Sequence, residues 1–102
     1  MRRGAELRSF DTHNMGLQLL KLKEGTSDRL LGLATEVGMD YIRTSSDATG
    51  LHHWFKRPKQ NREYAITLQS STEHGEILRM GVSALCFALA ERLAAEELLI
   101  PC

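Results

Sequence analysis

At the centre of the last third of the chain stands the charge-free run Met80-Gly81-Val82-Ser83-Ala84-Leu85-Cys86-Phe87-Ala88-Leu89-Ala90. Around it, leucine and valine recur at the spacing of one helical face, at positions Leu78, Val82, Leu85, Leu89 and Leu93. Upstream, Ser70-Ser71-Thr72-Glu73 has the capping-box pattern of a helix start. Together these patterns predict one long C-terminal helix over residues 70–99, which the rest of the chain must cover.

Apolar residues off this stripe leave the predicted helix without a polar side over about three turns. A domain of about 100 residues has the mass for two packed layers, which cover one side of a helix better than both. We therefore expect self-association as a homodimer, or a protein partner docked on the second side. The residues expected in that contact are Met80, Ala84, Phe87 and Ala88.

Composition indicates one folded domain. Hydrophobic residues make up 42% of the chain and charged residues 25%, which excludes a mainly disordered protein. We expect residues 1–13 to form a flexible arm and residues 14–102 a single α+β domain. The basic residues of 1–8 precede no apolar run, so they do not form a secretory signal, and the 11 uncharged residues of 80–90 are too few to span a bilayer. These features predict a cytoplasmic protein without a membrane segment.

The remaining elements follow from local signals. A helix is expected from Thr26 to Gly38, because cap residues precede it and a glycine suited to a left-handed conformation ends it. Residues 15–24 fit a bulged strand or a helix ended by Gly25, and we favour the strand. Residues 41–44, 51–56 and 64–69 read as strands. The predicted fold is a three- to four-stranded antiparallel sheet packed on two helices, in the order (β or α)-α-β-β-β-α.

The strands 51–56 and 64–69 alternate cleanly, and their phase decides which side chains are exposed. In the favoured phase Tyr64, Ile66, Leu68 and Phe55 face the helices. His52, Trp54 and Lys56 then lie on the outer face beside Ala65 and Thr67. The opposite phase, with Trp54 inside, is the alternative, because a single tryptophan is more often buried than exposed.

The helix, three-strand meander and helix of residues 27–97 are similar in layout to the double-stranded-RNA-binding domain. That family has a lysine-rich start to its second helix. Residues 71–76 are acidic here, so the resemblance does not extend to the phosphate contacts of the family.

The candidate functional surface is the basic, aromatic hairpin. Aromatic rings among cations stack on bases or bind an acidic partner. The structural alternative is that the charges solvate a hairpin tip while Trp54 lies in the core. The residues assigned to partner or nucleic-acid binding are His52, Trp54, Lys56, Arg57, Lys59, Arg62 and Arg43.

Signals of catalysis are weak. His52 and His53 are adjacent on a strand and point to opposite faces, so they do not share a metal ion, and no glycine-rich phosphate loop is present. We expect no cofactor, no metal and no catalytic residue. The leading hypothesis is a small non-enzymatic inhibitor, adaptor or regulator, of the kind that mobile elements also encode, acting through protein contacts and self-association. The alternative is a nucleic-acid-binding regulator that uses the hairpin 52–62.

Overall fold

The structure is a computed structural model that describes residues 17–57, 59–71, 73 and 75–100. The predicted arm, residues 1–13, lies outside the described residues. Within the described residues, seven elements follow in the order β-α-β-β-β-β-α. Their bounds are β1 Gln18–Leu22, α1 Ser27–Glu36, β2 Asp40–Asp47, β3 Gly50–Lys56, β4 Glu63–Ser71, β5 Gly75–Met80 and α2 Ala84–Ala95.

The strands form one antiparallel sheet in the order β1-β5-β4-β3-β2. Strands β2 to β5 form a meander, and β1 returns to pair with β5. The α+β class is confirmed, but the sheet has five strands where three or four were predicted. Residues 18–22 form a strand, as favoured, and their pairing with β5 runs without a register shift, so the predicted bulge is absent there. A shift occurs in β2 instead, between Tyr41 and Arg43.

The predicted helix over 70–99 is wrong. Its first part is the end of β4, a turn and β5, so the helix begins only at Ala84. Gly75, the first residue of β5, has φ +73°, a conformation that favours glycine, and in the turn before it the Glu73 amide donates to Ser71 Oγ at 3.1 Å. The N-cap is Ser83, whose Oγ accepts from the amide of Cys86 at 3.3 Å. The layout shared with the double-stranded-RNA-binding domain is lost with it, because four strands separate the two helices.

Both helices pack on one face of the sheet, here called the inner face. In the register of the sheet, Leu20, Leu78 and Leu68 lie side by side on β1, β5 and β4, and all three are buried. They belong to one core cluster with Leu30 and Leu33 of α1 and with residues of α2. Of the helices found in the described part of the chain, neither is long and apolar enough to cross a membrane.

The two edges of the sheet differ in whether another described segment of the chain is hydrogen-bonded to them. The β1 edge is covered by the chain segment after α2, because the Lys23 amide donates to the Leu98 carbonyl and the Ile100 amide to the Lys21 carbonyl, both at 2.9 Å. Leu99 bridges Leu22 between these bonds. At the other edge lies β2, and all eight of its residues are exposed.

Candidate binding face

The face of the sheet turned away from the helices, here called the outer face, carries the candidate site. The strand register brings one residue from each strand into a single row, in the order Leu19, Arg79, Thr67, His52 and Ser45. Four strand spacings of about 4.8 Å make this row roughly 19 Å long. It is long enough to contact several residues of a partner at once.

Trp54 lies on the outer face, in the first of the two predicted phases, while Phe55 and Ile66 are buried on the inner face. The Arg43 guanidinium stacks 5.0 Å from the centroid of its ring, and the indole N–H donates to Ser45 Oγ at 2.9 Å. The register shift in β2 sets Arg43 directly opposite Trp54. The ring is therefore fixed on the surface by contacts to the neighbouring strand.

His52 is the centre of a hydrogen-bond network beside Trp54. Its Nε2 lies 3.0 Å from Asp47 Oδ1, and its Nδ1 lies 2.8 Å from Thr67 Oγ1. Both the amide and the hydroxyl of Thr49 donate to the same Asp47 oxygen. The hydroxyl of Thr49, and after it His52, hold the pKa of the Asp47 carboxyl well below its usual range. The network ties β4, β3 and the β2–β3 turn together.

His53 points to the inner face, as expected for a neighbour of His52 on a strand. Its Nδ1 lies 2.9 Å from Thr44 Oγ1, which in turn lies 2.7 Å from the Tyr41 hydroxyl. Burial lowers the pKa of the His53 imidazole, because desolvation disfavours the charged form. The two histidines therefore stabilise the hairpin from opposite sides.

The outer face carries four cations and three carboxylates, Asp40, Asp47 and Glu63, although the chain has no net charge. Glu63 pairs with Arg43 at 2.9 Å and Asp47 with His52, while Asp40 lies opposite Lys56 in the register. Lys21 and Arg79 form no ion pair with any residue that the structure describes. The cations of this face are Lys21, Arg43, Lys56 and Arg79.

The residues predicted for partner or nucleic-acid binding do not all lie on one face of the sheet. Arg43, His52, Trp54 and Lys56 share the outer face. Arg57 instead covers the half-buried ring of Tyr64, an inner-face residue, with its guanidinium carbon 5.2 Å from the ring centroid. Lys59 and Arg62 are exposed at the β3–β4 turn. Lys59 lines a shallow cleft of about 390 Å³ with Asp40, Lys56 and Arg57.

The set predicted for self-association is also divided. Met80 does not belong to it, because it lies in β5 with only 1% of its surface exposed, packed in the core. Ala84 and Phe87 are exposed on α2, and Ala88 is half-buried. Val82 and Phe87 occupy the sequence positions of a hydrophobic staple around the Ser83 cap, and both are exposed.

Arg79 and Ile77 were missed as outer-face residues because β5 was read as helix. The sequence did contain a strand signal, because Leu78 and Met80 stand two residues apart with Arg79 between them, and Gly75 and Gly81 bound the segment. Lys21 was missed because residues 15–24 fit either a strand or a helix, so the sequence did not predict which of their side chains share a face.

The face offers cations, an aromatic ring and hydroxyl groups on a flat surface, which is the chemistry of binding. Within residues 17–57, 59–71, 73 and 75–100, no three side chains of His, Cys, Asp or Glu are grouped to hold a metal ion. Comparison of the chain with protein-family models, with curated proteins and with solved structures finds no match.

Proposed function

We propose that this chain is a small non-enzymatic binding protein that docks an acidic protein partner on the outer face of its sheet. The observation that carries the proposal is the fixed Trp54 ring, stacked under Arg43 and beside His52, on a face that also carries Lys21, Lys56 and Arg79. Tryptophan and arginine are the residues most enriched among those that dominate binding energy in protein interfaces.

Pre-organisation strengthens this proposal. Ordering a long side chain on binding costs about 0.5–1.5 kcal/mol. Arg43 is already held by Glu63 and by the Trp54 ring, and Trp54 by Ser45, so these side chains have less freedom to lose. A partner carboxylate that approaches Arg79 or Lys21 meets a cation that forms no ion pair with the described residues.

A nucleic-acid ligand is the second candidate, and the unpaired cations of the face favour it as well. Single strands bind to sheet surfaces through stacked aromatic rings and through cations that contact phosphates. Such binding weakens steeply with salt because counterions are released. Titration of labelled oligothymidylate at low and at physiological salt separates the two candidates. Binding that is lost with both Trp54→Ala and Arg79→Gln would favour nucleic acid.

The test of the protein-binding proposal compares cation changes on the two sides of the molecule. Arg79→Gln removes a charge from the outer face, and Arg29→Gln removes one from α1 on the helical side, where Arg29 pairs with Glu96. A partner captured from cell extract is purified and titrated against both variants and Trp54→Ala. We expect Trp54→Ala and Arg79→Gln each to weaken the complex by about tenfold or more, and Arg29→Gln to leave it unchanged. A partner that binds all variants equally would contradict the proposal.

Self-association through Ala84, Phe87 and Ala88 is a separate proposal. It is supported by the exposure of Phe87 beside small residues on α2. Sedimentation equilibrium of wild type and Phe87→Glu tests it, with Glu91→Gln as a control on the same helix. A wild-type monomer at micromolar concentration would remove this proposal without affecting the outer face.

A further inference from the structure

We propose that β2 is a pH-sensitive cover of the hairpin: protonation of the buried His53 ring in mild acid detaches β2 from β3 and dismantles the Arg43–Trp54 stack. The release of a partner that would follow rests on the proposed function, because it regulates the same face. The detachment of β2 itself stands on the hairpin alone. Histidine suits this role because its imidazole ordinarily changes charge between neutral and mildly acid pH.

Strand β2 separates His53 from solvent at this edge of the sheet. All eight residues of β2 are exposed, whereas His53 on the next strand has only 5% of its surface exposed. In the described part of the chain, no backbone hydrogen bond reaches β2 from any element other than β3. Detachment of β2 would therefore expose His53 and leave the pairing of the other four strands in place.

The groups of β2 that meet the His53 ring are neutral hydroxyls. His53 Nδ1 lies 2.9 Å from Oγ1 of Thr44, which is its partner in the register, and that oxygen lies 2.7 Å from the Tyr41 hydroxyl. These bonds fit a neutral ring, in which Nδ1 accepts from Thr44 and Thr44 accepts from Tyr41. A proton on Nδ1 reverses the direction of both bonds and adds a positive charge to a buried ring.

The elements packed around His53 supply no charge that would compensate this proton within the described residues. On β4 its partner in the register is Ile66, and the titratable groups that face the core there are Tyr64 and Cys86, a phenol and a thiol. Burial lowers the pKa of His53, because desolvation disfavours the charged form. The charged residues of α1 and α2 and of the α2 cap are exposed or paired with one another: Asp28, Arg29, Glu36, Glu91, Arg92 and Glu96.

His52, the preceding residue on β3, provides a comparison within the same strand. Its Nε2 lies 3.0 Å from Asp47 Oδ1, so a proton on this ring meets a carboxylate. The Thr49 hydroxyl, and after it His52, hold the pKa of Asp47 well below its usual range, so this carboxylate stays ionised in mild acid. Protonation of His52 therefore strengthens the contact between β2 and β3, whereas protonation of His53 weakens it.

The sign of the pH response follows from the two environments of His53. Its pKa is lowered while β2 is attached, and it returns to about 6.5 when β2 is detached and the ring is solvated. The detached form binds the proton more tightly, so the attachment of β2 is complete above about pH 6.5 and is lost as the pH falls toward the lowered pKa. At pH 5 a solvated imidazole is protonated in about thirtyfold excess, so detachment increases by at most about thirtyfold.

Detachment of β2 changes the outer face because two contacts of Trp54 come from this strand. Arg43 stacks on the indole ring, and Ser45 accepts a hydrogen bond from the indole N–H. Without them the ring is no longer fixed on the surface. Acid would therefore weaken the binding of a partner that uses this ring.

Hydrogen exchange of the backbone amides, corrected for the intrinsic rate, measures detachment without a partner. Between pH 7.5 and pH 5 we expect the amides bonded between β2 and β3 to lose protection by about three- to thirtyfold, and those between β1 and β5 to lose none. His53→Gln stays neutral and can still bond to Thr44, so this variant should abolish the loss, and His52→Gln should retain it.

A loss of protection that persists in His53→Gln, or that spreads equally to the amides between β1 and β5, would overturn the inference. A second measurement needs no variant. The ring carbons of His53 are followed by NMR through a pH titration of the folded wild type. Titration at or above pH 6.5 would also overturn the inference, because the attached form would then not disfavour the proton.

A purified partner then separates this inference from the proposed function. Affinity that falls from pH 7.5 to pH 5 with wild type, and stays constant with His53→Gln, would support both. Detachment of β2 with unchanged affinity would contradict the proposed function and leave the pH response standing. Affinity that falls without detachment of β2 would overturn the pH response and leave the proposed function standing.

Discussion

Replacing Leu78 and Ile77 by alanine, one at a time, tests whether residues 75–80 form the interior strand β5 that the structure shows. These neighbours point to opposite faces of the sheet. Leu78 has 0% of its surface exposed and lies between Leu20 and Leu68 in the register, whereas Ile77 lies half-buried on the outer face. In a helix, two adjacent residues would not point to opposite faces.

The magnitudes follow from burial. Truncation of a fully buried leucine to alanine costs about 2–5 kcal/mol, because transfer energy is lost and a cavity is left. Leu78 lies between Leu20 and Leu68 and is fully buried, so we expect Leu78→Ala to lower the free energy of unfolding by about 3 kcal/mol. On the outer face the truncation leaves no closed cavity, so Ile77→Ala should cost about 1 kcal/mol. A domain of this size has roughly 5–15 kcal/mol of stability in total, so both variants should fold.

Urea unfolding followed by the fluorescence of Trp54, the single tryptophan, measures both changes. We expect a lower midpoint for Leu78→Ala with an unchanged slope, which would show that only stability has changed. Equal costs for the two variants, or a larger cost for Ile77→Ala, would refute the assignment of the inner and outer faces.

Three further predictions concern single sites. Because the pKa of Asp47 is lowered in the folded state, its contribution to stability is complete above the ordinary carboxyl range and is lost as pH falls below about 4; urea midpoints from pH 2 to 7 should therefore fall less steeply with acid in Asp47→Asn. Ser83→Ala should cost about 1 kcal/mol because it removes the cap of α2, whereas Ser70→Ala should lie within about 0.5 kcal/mol of wild type by the same assay; the reverse order would restore the helix start at residue 70. Gly50→Ala should lower the thermal midpoint more than Gly25→Ala, since a Cβ at Gly50 would lie 2.4 Å from a backbone oxygen while one at Gly25 would meet nothing within 4 Å; equal midpoints would contradict the close packing of the β2–β3 turn.

The sequence predicted α1 and the strands of the central hairpin because the period of each has one physical interpretation, and it favoured the observed phase while leaving the opposite phase open. In the hairpin, alternation places Phe55, Ile66 and Leu68 on one side, and only a period of two fits them. The same alternation placed Trp54, His52 and Lys56 together. What it could not predict is the partner of each side chain, because the opposition of Arg43 and Trp54 depends on a register shift that no local pattern encodes.

The error over residues 70–80 also has a physical cause. A step of four residues, as from Leu78 to Val82, keeps a side chain on one face both in a helix and in a strand. A serine hydroxyl accepts a hydrogen bond from a nearby amide in turns as well as at helix caps, and Ser71 accepts one from Glu73 in the β4–β5 turn. The conflict was visible in Gly75, which a helix tolerates poorly and a tight turn uses. Because residues 75–80 were predicted as helix, Arg79 was not predicted to lie on the candidate face.

The return of β1 to the far side of β5 has a consequence for how the fold is reached. Strands β2 to β5 each pair with the next strand in sequence, so they can assemble in order. Strand β1 pairs with β5 instead, and its residue Gln18 lies opposite Met80, more than half the chain away in sequence. Contacts of such long separation slow folding, because the loop between them must close first. We therefore expect the meander to form early and the first strand, locked by residues 98–100, to join late, so that both edges of the nascent sheet are exposed until the final step.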